Sequence, residues 1–343
     1  MTVHDGPRQW VSQQLSGVSP SMHLSYVFSF RNEESNIPEI VRRVANATAT
    51  IDDCTYEMIF VNDASTDGSY ELLMSLQSRY PIAIVTTSRP FGVTPCVLAG
   101  MAEASGDAVV YMDCDLQDPP ELVPEMVKRF REGVEVVHTT RLSRDGEPRR
   151  KLIATAIAYR LLNAASEMPL PVDTGDFKLY SRRAVKSLLS IKDSEPYIRG
   201  MAVWIGYRQD FIPYHREARH SGRSRVGWRK AIQEFLRGMT GYSSAPLYLS
   251  FGMAAAALVL SFALIAWAVL TKILGVAAPG SASTIGAIAL MGGAILIAIG
   301  VLGLYLSRIL SEVMDRPRHV ISRIDPVDHS PMKISEPPPD GQV

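Results

Sequence analysis

Three aspartates follow a short apolar run in the stretch "YMDCDLQDPPE". The preceding residues, "GDAVV", predict a buried strand because they end in apolar, β-branched side chains. Asp113, Asp115 and Asp118 repel one another, and an apolar strand offers them no positively charged partner. Carboxylate oxygens are the ligands that Mg²⁺ and Mn²⁺ prefer, and such cations in turn bind phosphates. The stretch therefore predicts a cation site, with an ordinary turn or helix cap as the alternative.

Strand-like runs alternate with helical patterns from Leu24 to about Pro213. This alternation is typical of an α/β domain with a mostly parallel sheet, in which ligands bind beyond the carboxyl ends of the strands. Polar clusters follow several of these strands, with Asn32-Glu33-Glu34 after the first and Asn62-Asp63 after the second. Together with the aspartates, they predict a site for a polar ligand that carries a metal ion.

The composition excludes some classes of function. The chain has 343 residues, with 35 basic and 35 acidic side chains, so it offers no electrostatic argument for nucleic acid binding. Its length allows a large catalytic domain with an appendage. The 3 cysteines form no CxxC pair, which favours a reducing compartment over a disulfide framework or a zinc site.

Two uncharged apolar stretches, 247–270 and 285–306, each exceed the roughly 20 residues that cross a bilayer core. Arginines flank both stretches on their outer sides, whereas the loop between them carries only Lys272. Because basic residues stay on the cytoplasmic side, both termini and the catalytic domain are predicted to be cytoplasmic, at the cell inner (plasma) membrane. The N-terminal residues lack the apolar core of a signal peptide, in agreement with this orientation.

The predicted organisation has seven parts. An N-terminal arm is followed by a catalytic domain, an amphipathic interfacial helix, two transmembrane helices joined by an external loop, and a partly disordered cytoplasmic tail. An ordinary surface helix is the alternative for the interfacial helix, and disorder is predicted from Pro317. The arm comprises residues 1–21, the catalytic domain 22–225 and the interfacial helix 226–244. The two transmembrane helices comprise 245–271 and 285–308, with the loop 272–284 between them, and the tail comprises 309–343.

A series of motifs occurs in order between Leu24 and Trp228. It reads "FSFRNEES", "VNDASTDGS", "SRPFG", "YMDCDLQDPPE", "TTRLSRDGE", "DTGDFKLYSRR", "IRGMAVWIGY" and "REARHSGRSR". This series resembles family 2 glycosyltransferases of GT-A fold, specifically the polyprenyl-phosphate branch that includes dolichol-phosphate mannose and glucose synthases. The resemblance implies a Rossmann-like α/β domain with a mostly parallel sheet, and two trailing spans are common in bacterial members.

The resemblance also implies roles for individual residues. A divalent metal, Mg²⁺ or Mn²⁺, would bind at Asp113, Asp115 and Gln117, and Asp176 would lie at the sugar-transfer centre with Asp115 as the second catalytic residue. The donor nucleotide would contact Glu33, Asp63 and Asp113, with a closing loop that carries Arg216, Arg219 and Ser224. The acceptor phosphate would meet Arg141, Arg150 and Arg199, and Trp204 would border its site.

Each role has a structural alternative. Glu33 could charge a helix N-terminus, and Asp63 could cap the turn that follows it. Asp176 could pair with Lys178 or Arg182, and Trp204 could belong to the core. Arg216 and Arg219 could be membrane-facing cations. The chain also departs from the family pattern at Pro90, Val93 and Ala154, and it lacks a proline before Asn32.

The function implied is inverting transfer of a sugar from a nucleotide-diphosphate sugar to a membrane polyprenyl phosphate. UDP-glucose is the first choice of donor, with GDP-mannose, UDP-GlcNAc, UDP-galactose and an aminoarabinose donor as alternatives. A processive polysaccharide synthase and an inactive membrane subunit are the rival classes. Related enzymes with few spans often assemble through them, so a homo-oligomer is a further expectation.

Overall fold

One mixed sheet of eight strands organises the described part of the chain. The protein is represented by a computed structural model that describes residues 22–141, 174–214, 241, 243–275 and 280–327. The strands are β1 Met22–Phe30, β2 Cys54–Asn62, β3 Ile82–Thr87, β4 Ala108–Tyr111, β5 Val136–Arg141, β6 Thr174–Ser181, β7 Gln209–Tyr214 and β8 Ile321–Asp325. Their spatial order is β7-β5-β6-β4-β1-β2-β3-β8.

Helices cover both faces of this sheet. They are α1 Ile37–Thr48, α2 Ser69–Leu76, α3 Val93–Glu103, α4 Val123–Arg131, α5 Arg182–Ser190 and α6 Ile198–Trp204, followed by the long α7 Ala245–Ile273 and α8 Ser281–Val313. The apolar faces of α1, α2 and α4 share one core with alternate residues of the strands, and α3, α5 and α6 share a second core on the other face. The predicted α/β architecture is confirmed.

Alternation along β1 explains why both faces are apolar. Phe28 points into the core beneath α1, where its ring stacks on Phe60 of β2 with 4.5 Å between centroids, whereas Val27 points into the core beneath α3. Strands covered on both faces read as continuous apolar runs, as all of β4 and residues Met58–Val61 of β2 do.

The register brings several strand ends to one edge. β1 runs parallel to β2 and β4, and β2 runs parallel to β3, so Phe30, Asn62 and Thr86 lie side by side. β6 runs antiparallel to β4 with Lys178 opposite Tyr111, so its first residues lie at the same edge. Asp113 follows the last paired residue of β4 and Asp176 precedes its partner Lys178, so both lie toward this edge.

Both predicted spans form long helices. α7 has 29 residues and α8 has 33, and each is long and apolar enough to cross a membrane. The most apolar part of each helix is not buried against the rest of the described protein. α8 runs further than the predicted 285–308 at both ends, because residues 281–284 before the apolar stretch and the residues after Leu306 are also helical. The N-terminal arm and almost all of the predicted interfacial helix lie outside the described residues.

The segment after α8 corrects the prediction of disorder from Pro317. Residues Ile321–Asp325 form β8, which pairs antiparallel with β3 and covers its edge. Side chains fasten this strand, since the Tyr70 hydroxyl donates to Asp325 at 2.9 Å and the Ser322 hydroxyl donates to the Thr86 carbonyl at 3.0 Å. The short, polar sequence of this segment did not predict a strand, because β8 is stabilised by pairing with the edge of β3 and not by its own residue pattern.

Removal of β8 tests this account. A chain that ends at residue 318 is expected to have a melting temperature about 5 °C lower and to self-associate, because the backbone groups of β3 become an open edge. Calorimetry and light scattering in detergent measure both effects. A chain that ends at residue 327 is the control and keeps β8. Equal melting temperatures for the two truncated chains would contradict the role given to this strand.

Candidate active site

A tight turn after β4 carries the three aspartates. Leu116 has φ of 59°, in the left-handed region that leucine rarely adopts, yet its side chain is buried in the core. Burial of Leu116 holds this strained turn, and the amide of Gln117 closes it by donating to Asp115 Oδ1 at 3.2 Å. Asp113, Asp115 and Gln117 are each half-buried at the sheet edge.

Asp113 lies among other carboxylates. Burial, followed by the charges of Asp176, Asp118 and Asp115, raises the pKa of Asp113 from 3.8 to about 7. The negative charge of Asp113 is therefore poorly compensated by its surroundings, and a divalent cation would relieve this condition. Oxygen donors from Asp113, Asp115 and Gln117 fit such a cation, and Mg²⁺ needs only one or two carboxylates beside phosphate and water. Among the described residues, no three His, Cys, Asp or Glu side chains form a metal-ligand cluster by themselves.

Sequence reasoning missed the hydroxyl of Tyr111. This buried side chain donates to Asp113 Oδ1 at 3.0 Å and so orients the first carboxylate of the cluster. The signal was present in the sequence, because residues two apart on a strand share a face and Tyr111 lies two positions before Asp113. The third aspartate has a different partner, since Asp118 Oδ1 accepts a hydrogen bond of 2.5 Å from the Tyr214 hydroxyl at the end of β7.

Asp176 and Arg199 form a two-pronged ion pair. Arg199 donates from Nε to Asp176 Oδ1 at 2.7 Å and from Nη2 to Oδ2 at 2.6 Å. This fork matches a carboxylate and fixes the orientation of both groups. Asp176 thus has a partner that the sequence analysis did not name, while Lys178 donates to the Gly175 carbonyl and Arg182 to the Ala104 carbonyl. The structure unites the predicted transfer residue with one of the predicted acceptor arginines.

Asp63 holds the loop that precedes α3. Its Oδ1 accepts from the amide of Phe91 at 2.6 Å and its Oδ2 from the amide of Gly92 at 3.0 Å, and Asp63 is only 6% exposed. Gly92 has φ of 92°, which explains why a glycine follows Phe91. The turn after β2 is capped by Asn62 rather than by Asp63, because Asn62 Oδ1 accepts a hydrogen bond from the Ser65 amide at 2.8 Å.

Glu33 lies between the loops that follow β1 and β2. Its amide donates to Ser69 Oγ at 3.1 Å, and its Oε2 accepts from Asn36 Nδ2 at 2.7 Å. Asn32 has φ of 59° and binds the second loop through Oδ1, which accepts from the Thr66 amide at 2.8 Å. These bonds place Glu33 just before α1 and at the same sheet edge as Asp63.

The remaining predicted residues are partly described, fully described, or outside the described part of the chain. Arg141 ends β5 opposite Tyr214, and its side chain lies outside what the structure describes. Trp204 ends α6 and is 58% exposed, so the alternative that it belongs to the core is wrong. Val93 begins α3 and is exposed. The predicted residues that lie outside the described part of the chain are Arg150, Ala154, Arg216, Arg219 and Ser224.

The carboxylate cluster predicts a pH effect in metal-free protein. The folded pKa of Asp113, about 7, exceeds its unfolded value of 3.8, so this group destabilises the fold as pH rises through that interval. Asp113→Asn is therefore expected to raise the unfolding free energy by about 1–3 kcal/mol at pH near 8, with little gain near pH 4. Denaturant titrations with a chelator measure it, with Asp52→Asn at an exposed turn as the control. A gain that does not change with pH would contradict the assignment.

The bonds of Asp63 predict a local loosening that needs no ligand. Asp63→Ala removes the acceptor of two backbone amides, so exchange of the amides in residues 88–96 should accelerate and stability should fall by about 2 kcal/mol. Hydrogen exchange measured by mass spectrometry without nucleotide tests this expectation. Asp52→Asn is again the control. Unchanged exchange in that segment would mean that Asp63 does not hold the loop.

Comparisons with known proteins agree with this arrangement. The profile described as Glycosyl transferase family 2 matches residues 25–189. An uncharacterized glycosyltransferase of Synechocystis is 36% identical over 315 residues, which cover 91% of this chain and 99% of that protein. The bactoprenol glucosyl transferase of Shigella phage SfII is 32% identical over 307 residues, which cover 88% of this chain and 98% of the phage protein.

A solved structure aligns with part of this chain. Glucosyl-3-phosphoglycerate synthase from Mycobacterium tuberculosis aligns with a TM-score of 0.48 and 20% identity, over 66% of this chain and 86% of that chain. The mixed, mostly parallel sheet is the GT-A-like fold that the motif series implied. Relatives above 30% identity align along nearly their whole length, and the chain therefore belongs to glycosyltransferase family 2.

Proposed function

We propose that this protein transfers glucose from UDP-glucose to the phosphate of a membrane polyprenyl phosphate, with inversion at the anomeric carbon. The observation that carries the proposal is the set of carboxylates at one sheet edge, in which the charge of Asp176 acts on Asp113 and Arg199 forms a two-pronged ion pair with Asp176. The acceptor class and the sugar are those in the names of the bactoprenol glucosyl transferases of Shigella phages. GDP-mannose, UDP-GlcNAc, UDP-galactose and an aminoarabinose donor are the alternative donors.

The donor would bind where the edge is most acidic. Asp113, Asp115 and Gln117 would hold Mg²⁺ or Mn²⁺, and when bound such a cation neutralises charge on the departing diphosphate. Glu33 and the loop held by Asp63 would hold the base and ribose, and Arg216, Arg219 and Ser224 would close over the donor. The negative charge of the carboxylates clustered around Asp113 would repel a diphosphate that arrives without a cation.

The acceptor phosphate needs little activation. Its second pKa lies near 6, so at neutral pH it is mostly a dianion, and one of its oxygens can attack the anomeric carbon directly. That bond forms as the bond to the diphosphate breaks, and the diphosphate leaves with the electron pair. Asp176 would position the sugar and stabilise positive charge on the ring, with its carboxylate oriented by Arg199. Arg141 and Arg150 would bind the acceptor phosphate.

The two long helices give a reason for a lipid acceptor. α7 and α8 would hold the catalytic domain at the inner face of the cell membrane, next to a substrate that stays in the bilayer. This orientation keeps the acidic edge in the cytoplasm, where nucleotide sugars are made. It follows from the arginines outside the spans and the single Lys272 between them.

Transfer by the purified protein tests the proposal. In vesicles that contain a polyprenyl phosphate and a divalent cation, UDP-glucose is expected to give a β-linked lipid-phosphate glucose, detected by mass spectrometry and NMR. Asp115→Ala should lower the rate about 100-fold or more, because a ligand of the cation is lost. Glu121→Gln, at an exposed residue that pairs with Arg43, is the matched control.

Each other result has a distinct meaning. Product from another nucleotide sugar alone would replace UDP-glucose and keep the acceptor. Wild-type activity in Asp115→Ala would remove this residue from the cation site. A lack of transfer with all of the donors would overturn the proposed function and favour an inactive membrane subunit.

A further inference from the structure

The loop that joins α5 to α6 is bonded to the end of α8. Arg308 donates from Nη2 to Asp193 Oδ1 at 3.1 Å and to Oδ2 at 3.0 Å. Glu312 accepts through Oε1 from the amide of Ser194 at 2.8 Å and through Oε2 from its hydroxyl at 3.2 Å. Arg318 donates to the backbone carbonyls of Asp193 and Ile191. These six residues are termed the α8 joint: Ile191, Asp193 and Ser194 of the loop, and Arg308, Glu312 and Arg318 at the end of α8 or just after it.

The α8 joint differs from an ordinary surface ion pair. The Arg308 side chain is 17% exposed and that of Asp193 is 12% exposed, so water screens the pair less than it screens most surface pairs. Burial also raises the pKa of Asp193, although Arg308 opposes the change. Carboxylates, a guanidinium and backbone groups are bonded together, which makes the joint more rigid than one contact between two long side chains.

The joint lies close to the predicted membrane boundary. The apolar stretch of α8 ends at Leu306, and the helix continues to Val313. Those last seven residues extend about 10 Å at the helical rise per residue. Arg308 and Glu312 therefore lie just beyond the hydrocarbon, on the side where the catalytic domain is attached.

The joint is also close in sequence to the candidate active site. Asp193 precedes Arg199 by six residues, and Arg199 lies in the first turn of α6, where it forms an ion pair with Asp176. After α8, the chain binds the other side of the site, because the Ser88 amide donates to the Val320 carbonyl at 2.9 Å just before the loop held by Asp63. One end of α8 is thus bonded to the segments that lead to both predicted substrate sites.

We propose that the α8 joint is a positioning device for the lipid acceptor, and that Asp193, Arg308 and Glu312 are positioning residues of the transfer reaction. The joint holds the catalytic domain at one height and tilt above the bilayer, so that a phosphate anchored in the membrane reaches Asp176. This inference rests on the proposed function. It applies only to an acceptor that the bilayer holds, and a soluble acceptor can reach the site at any tilt.

The test compares two acceptors with the full-length protein in vesicles of phosphatidylethanolamine and phosphatidylglycerol. One is a long-chain polyprenyl phosphate in the bilayer, and the other is a short, water-soluble polyprenyl phosphate. Asp193→Asn and Arg308→Gln are each expected to reduce kcat/KM for the long-chain acceptor about tenfold and to leave the short acceptor within about twofold. Arg308→Lys, which keeps the charge, should recover most of the activity.

The double variant and a control complete the design. Asp193→Asn combined with Arg308→Gln should lose no more than the more impaired single variant, because both substitutions break the same contact. Arg42→Gln, which breaks the exposed pair of Arg42 with Glu39 on α1, should affect neither acceptor. Thermal unfolding of each variant shows whether it folds.

The outcomes separate this inference from the proposed function. A selective loss with the long-chain acceptor supports the joint as a positioning device. Equal losses with both acceptors, or no loss with either, overturn it even if wild-type transfer is intact. Wild-type protein that is inactive with both acceptors would instead overturn the proposed function.

Discussion

Repulsion between Asp113 and Asp176 is the constraint on which the site depends. Both carboxylates lie at the sheet edge where β4 ends and β6 begins, and the charge of Asp176 disfavours the charged form of Asp113. The fold compensates in part, because Tyr111 donates to Asp113 and Arg199 pairs with Asp176. The pKa of Asp113 is still raised to about 7, so the folded protein keeps a carboxylate whose negative charge is poorly compensated. Stability is reduced where the proposed chemistry needs charge.

The change of strand direction at β6 creates this arrangement. In a wholly parallel sheet, the residues that enter β6 would lie at the opposite edge from Asp113. Because β6 runs antiparallel to β4, Asp176 enters the sheet where β4 leaves it. α6 then supplies Arg199 from its first turn, and its buried residues Ile198 and Met201 anchor the helix in the core beneath α3. A distant segment thus completes a cluster that begins in one short motif.

Local patterns predicted the layers of this fold, and long-range contacts limited the rest. α1 and α4 have strongly amphipathic sequences, and β4 is apolar throughout, so each could be read without its neighbours. The pairing of Asp176 with Arg199 could not, since Lys178 and Arg182 are nearer in sequence. Asp63 was identified as a site residue, but its bonds to the amides of Phe91 and Gly92 depend on a loop 28 residues away. β8 was missed because its partner, β3, lies more than 230 residues earlier.

The position of β8 ties the sheet to the helices that could span the membrane. β3 forms early in the chain, but the strand that covers its edge follows α7 and α8. The edge of β3 therefore stays open until both long helices have been made, and an open edge invites pairing with other chains. Once α8 is in place, Arg318 binds the α5–α6 loop and β8 closes the sheet within a few residues. Completion of the sheet therefore requires that the residues of both candidate spans have already been synthesised.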